Sequence, residues 1–106
     1  MSPSVRVTTE TEADRGWWFA IQLESGEAPA RMLQMRLDWS DYEHWTRGKT
    51  PPSVAAEALL RAALSLGDAA DLPDEFDAAA LRRRLPGIDE RVRAMLATDL
   101  RGLSAD

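Results

Sequence analysis

This sequence predicts an α+β fold, with a small antiparallel sheet of about three strands packed on one face by three to four helices. Two segments with period-two alternation follow one another within the first 39 residues, and a helix-capping signature stands directly after them. The rest of the chain carries apolar residues at helical spacing, interrupted by Pro and Gly.

Taken in order, Val5-Arg6-Val7-Thr8-Thr9-Glu10 reads as a short first strand, and the polar stretch Thr11 to Gly16 as an exposed connector. In Trp17-Trp18-Phe19-Ala20-Ile21-Gln22-Leu23-Glu24 the odd positions are large and apolar, and the even ones mostly small or polar. That is the period of a half-buried strand. Ser25-Gly26-Glu27-Ala28-Pro29 supplies turn formers, and the same parity returns in Leu33-Gln34-Met35-Arg36-Leu37-Asp38-Trp39, so the pair reads as an antiparallel hairpin with one apolar face.

Ser40-Asp41-Tyr42-Glu43 has capping-box spacing, which predicts a short helix from about Asp41 to Arg47, ended at Gly48. Thr50-Pro51-Pro52 opens a second helix, because proline is tolerated in a first turn where the N–H has no intrahelical partner. Val54, Ala58, Leu59, Ala62, Ala63 and Leu66 fall on one side of it, and Gly67 is its stop. A third helix is expected from about Asp74 to Leu85, with Phe76, Ala80, Leu81 and Leu85 as its apolar stripe, broken by Pro86-Gly87. A fourth, from about Ile88 to Leu100, repeats Ile88, Val92, Met95 and Leu96.

Residues 1–106 fit a single domain, with 1–39 as the sheet portion and 40–106 as the helical portion. A chain of this length buries roughly 60–70% of its unfolded surface. The expected inner layer is Trp17, Phe19, Ile21, Leu23, Leu33, Met35, Leu37, Val54, Leu59, Ala63, Leu66, Leu85, Val92 and Leu96, joined by Trp39, which shares the inward parity.

The chain has no cysteine, which removes disulfides, thiolate nucleophiles and cysteine-held metal sites. Its net charge of −5 works against general binding to a phosphate backbone. No apolar run approaches the roughly 18 residues of a membrane helix. Met1-Ser2-Pro3-Ser4 lacks the basic, apolar start of a secretion signal, so a cytoplasmic location without membrane contact is expected. Arginine outnumbers lysine twelve to one, a bias of GC-rich bacterial genomes.

Candidate functional residues are few. His44, the single histidine, lies three residues after Asp41, so a carboxylate could orient the imidazole on one helix face. No Gly-x-Ser-x-Gly elbow, phosphate-binding glycine loop or second histidine accompanies it. No catalytic residue, cofactor or metal is therefore expected. Asp68, Asp71, Asp74, Glu75 and Asp77 cluster without calcium-loop spacing, and are read as carboxylates at the positive end of a helix dipole. Trp18 and Met32 lie on the outward parity of their strands with Arg36, as a solvated face with stray apolar groups or part of a contact surface, and Tyr42, His44 and Trp45 on the short aromatic helix are further candidate interaction residues. Arg82-Arg83-Arg84, followed by Arg91 and Arg93, is the basic concentration of the chain. Successive helical residues point about 100° apart, so the run is not a stripe; it reads as a solvated face neutralised by nearby acids, or as a docking point for an acidic partner or nucleic acid.

The order of a hairpin, the aromatic turn Asp41-Tyr42-Glu43-His44-Trp45, a Thr50-Pro51-Pro52 helix, Phe76-Asp77, Leu81 and the Leu85-Pro86 break resembles a loose group of short, uncharacterised bacterial proteins, over about Trp17 to Leu96. The resemblance implies the same architecture and brings no activity, cofactor or catalytic residue with it. The functional expectation is a non-catalytic interaction or regulatory module acting through a protein partner or as a homodimer. The alternative is an acidic accessory protein of a nucleic-acid system that uses Arg82 to Arg84.

Overall fold

Four strands and four helices follow in the order β1 (Ser4–Ala13), β2 (Gly16–Glu24), β3 (Arg31–Asp38), α1 (Trp39–Thr46), α2 (Pro52–Leu66), β4 (Glu75–Asp77), α3 (Ala78–Arg84) and α4 (Ile88–Ser104). The computed structural model describes residues 4–24, 29–67 and 71–104, with the side chains of α4 described as far as Ala97. The first four residues of the Ser25–Pro29 connector and Asp68 of the acidic group lie outside the described residues.

The sheet has the order β1-β2-β3-β4. β1 with β2 and β2 with β3 are antiparallel, whereas β4 runs parallel to β3, setting Met35 opposite Phe76. The helices cover one face, where Phe19, Ile21, Leu33 and Met35 are fully buried, so the period-two reading of β2 and β3 holds. The core also takes in Val5, Leu23, Leu37, Leu59, Ala63, Leu81, Ile88, Val92 and Leu96.

The first hairpin is longer and tighter than the sequence suggests. β1 continues to Ala13, and Asp14 and Arg15 alone connect it to Gly16, with Arg15 in the left-handed region at φ 58°. A bulge between Val7 and Thr9 switches the parity of β1, so that Val5 and Val7 face the core while Glu10 and Glu12 lie opposite Phe19 and Trp17. The Trp39 N–H donates to the Arg15 carbonyl at 2.8 Å, tying this turn to the start of α1.

Several expectations are corrected. The N-cap of α1 is Asp38, whose Oδ1 accepts from the Ser40 N–H at 2.9 Å and its hydroxyl at 3.0 Å, so the Ser40–Glu43 capping box does not form. Helical geometry therefore begins at Trp39, which leaves the strand's parity and stands 54% exposed rather than filling the core. Phe76 belongs to β4, not to a helix, because the Gln34 N–H captures the Asp74 carbonyl at 2.7 Å and draws the segment onto the sheet edge. Of the acidic group, Asp77 caps α3 by accepting from the Ala79 N–H at 2.9 Å, while Asp74 pairs with Arg31 at 2.7 Å.

Helix α2 buries Ala55, Ala56, Ala58, Leu59, Leu60, Ala62 and Ala63. Its alanines let the backbone approach the sheet, and the buried arc is rotated so that Val54 is left 37% exposed instead of joining the core. Trp17, Leu66 and Leu85 are partly buried at the core margin. No helix among the described residues is long and apolar enough to cross a membrane.

Candidate interaction surfaces

The first surface is the sheet face without helices. Cross-strand register places its residues in rows: Arg6, Gln22 and Met32; then Thr9, Ala20, Gln34 and Glu75; then Thr11, Trp18, Arg36 and Asp77. Met32 is 50% exposed and Trp18 half-buried between its neighbours, although both are large and apolar. One corner is organised by Arg6, whose guanidinium donates to Gln22 Oε1 at 3.1 Å, while Gln22 in turn donates to Glu24 at 2.8 Å. At the other end Arg36 lies 3.5 Å from Asp38 and 4.0 Å from Asp77, and donates to the Asp14 carbonyl. Trp18, Met32 and Arg36 therefore share one surface, as their parity implies.

Tyr42, His44 and Trp45 lie elsewhere, on α1 behind the covered face. The Tyr42 ring meets Trp17 edge-on at 5.1 Å, and its hydroxyl donates to the Thr50 carbonyl. His44 and Trp45 join a polar cluster in which α1, α3 and α4 converge. Asp89 accepts from Trp45 Nε1 at 2.7 Å through one carboxylate oxygen, and its other oxygen lies 3.1 Å from His44 Nε2. Arg82 pairs with Asp41 at 3.2 Å and with Asp89 at 3.3 Å, and its guanidinium carbon stands 5.9 Å from the Trp45 ring centre.

The His44–Asp41 pair that helical spacing allows is thus replaced. Asp41 faces Arg82, and the partner of His44 is Asp89, 45 positions away. The same Nε2 also lies 3.3 Å from an Arg82 nitrogen and 3.2 Å from an Arg93 nitrogen. One ring nitrogen can donate to the carboxylate or accept from a guanidinium, not both. Burial raises the Asp89 pKa, but hydrogen bonds from His44 and Trp45, with the charges of Arg82 and His44, outweigh it and hold the carboxyl below its ordinary value.

The arginine run divides as helical geometry requires. All three are exposed, but Arg82 turns its guanidinium into the cluster. Asp89, one of the acids expected beside the arginine run, does pair with Arg82, but its contacts with His44 and Trp45 and the approach of Arg93 to His44 were not legible in the sequence, since α4 approaches α1 only through tertiary packing. The acidic character of the first turn of α4 was the sole local signal.

No protein family, curated protein or solved structure matches the chain in comparisons of sequence and fold. The functional reading therefore rests on the geometry of these surfaces.

Proposed function

We propose that the chain is a non-catalytic interaction or regulatory module that works through the open face of its sheet, with a second copy of itself as the occupant. The observation that carries this reading is the presence of Trp18 and Met32 on a face that no described helix covers. A two-fold axis parallel to the strands reverses the strand order of one copy over the other. Such an axis sets Trp18 opposite Arg36, a cation–π pairing, and places the Arg6 edge over the edge carrying Glu75 and Asp77.

The available area limits the affinity. Three strands about 26 Å long and the three-residue β4, about 4.8 Å apart, offer on the order of 400 Å² per copy, about 800 Å² in total, below standard specific interfaces and in the range of weak, transient ones. A dissociation constant on the order of micromolar is expected. Light scattering across a concentration series tests this: a concentration-dependent dimer that Trp18→Ser weakens at least about tenfold supports it. A monomer at every concentration, or a dimer that both Trp18→Ser and Met32→Ser leave intact, overturns it.

The nucleic-acid alternative would draw on Arg83 and Arg84, since Arg82 is engaged with Asp41 and Asp89. Against catalysis at His44 stands the crowding of its Nε2 by Asp89, Arg82 and Arg93, any one of which occupies that nitrogen.

A further inference from the structure

A groove of about 200 Å³ lies between the end of α1, the loop that follows it and α4. Its apolar lining is Trp45, Leu96 and Ala97, and its charged lining is Arg47, Lys49 and Arg93. No carboxylate lines it among the described residues. None of the three cations has a carboxylate within 4.0 Å among the described residues, although Arg93 also lies 3.2 Å from His44 Nε2. Arg47, Lys49 and Arg93 thus bring three cations to one concavity whose described lining holds no carboxylate.

The loop that presents two of them is braced. Arg47 caps α1 in the left-handed region at φ 55°, its N–H donating to the Glu43 carbonyl at 2.8 Å. The Gly48 N–H donates to the Thr46 hydroxyl at 3.0 Å, that hydroxyl donates to the Tyr42 carbonyl at 2.8 Å, and the Lys49 N–H donates to the Thr46 carbonyl at 3.2 Å. Tyr42 secures the far end through the Thr50 carbonyl. With the backbone held in this way, a ligand has only the exposed Arg47 and Lys49 side chains left to order, not the loop that carries them.

We infer that this groove binds a small organic anion, an apolar body bearing a phosphate or carboxylate group. The anionic group meets Arg47, Lys49 and Arg93, and the apolar body lies against Trp45, Leu96 and Ala97. The volume, below the 300–1,000 Å³ typical of sites for drug-sized ligands, restricts the body to about one ring or a short chain. This site is separate from the sheet face and does not depend on self-association.

The test is an NMR titration of the full chain with phenyl phosphate, hexanoate and inorganic phosphate, each up to about 10 mM, following the Trp45 indole and the Gly48 and Lys49 amides. Saturable shifts with phenyl phosphate or hexanoate are expected, and the stronger of the two identifies the anionic group. Inorganic phosphate, without the apolar body, is expected to bind at least about tenfold more weakly. Lys49→Gln and Arg47→Gln should each weaken the organic anion about tenfold, while Arg83→Gln leaves it unchanged. Absence of shifts with both organic anions, equal binding of inorganic phosphate, or equal loss in Arg83→Gln overturns the site. Thermal melts of the variants identify any that fail to fold, and the remaining variant then decides.

Discussion

Gly16 opens β2 directly beneath the carbonyl of Leu37, where a Cβ would come within 2.3 Å of that oxygen. Backbone cannot yield as a flexible side chain can, so Gly16→Ala is expected to destabilise the fold by about 1–3 kcal/mol in urea denaturation; an unchanged midpoint would refute the close approach. Asp89 acts through charge. Asp89→Asn keeps the shape but loses the anion that Arg82 and His44 face, with an expected cost of about 1 kcal/mol at neutral pH after allowance for partial exposure. Because the folded carboxyl titrates below its unfolded value of about 3.9, the Asp89 contribution is complete above that pH and disappears as pH falls through the folded value. The gap between parent and variant should accordingly close on acidification, and a gap constant from neutral pH to about pH 2.5 would remove the charge explanation.

At the scale of elements, α1 depends on Asp38. The Ser40 N–H and hydroxyl hold that carboxyl below its ordinary pKa, and Asp38→Ala should cost about 1 kcal/mol, or about 4–8 °C in Tm. Replacing Glu43, the distal member of the expected capping box, by Ala should leave stability within about 0.5 kcal/mol. The two tryptophans that share a sequence parity separate in the same way. Trp17→Ser removes a ring packed on Tyr42 and Phe19 and should cost about 2 kcal/mol or more, whereas Trp39→Ser should be near neutral. The period-two pattern revealed β2 and β3 because one buried face imposes it. It failed at Trp39 because a helix cap two atoms from the backbone outweighs continuation of the strand. It also missed β4, whose three residues are too few to display any period.

For the whole molecule, the sheet and the alanine-rich face of α2 form one core, with Phe19 fully buried at its centre. Phe19→Asp places an unpaired charge there and should abolish the cooperative unfolding transition; a sharp melt near that of the parent would contradict the assigned face. The open sheet face and the cationic groove lie on separate surfaces, so Trp18→Ser should affect solution mass without altering anion binding, and Lys49→Gln the reverse. Loss of both properties in either variant would mean that the surfaces are not independent.

Local patterns in the chain specify the α+β class, the inward faces of β2 and β3, the proline-started α2 with its stop at Gly67 and the break before α4. Each follows from short-range physics: alternation against one apolar layer, helical periodicity, and the backbone restrictions of Pro and Gly. Long-range packing alone makes β4 join the sheet in parallel, pairs Asp41 with Arg82 and His44 with Asp89, and brings Arg47, Lys49 and Arg93 to one groove. Those outcomes link residues about 40 or more positions apart. They are set by how α1, α3 and α4 pack over the sheet, which no local pattern of side chains encodes.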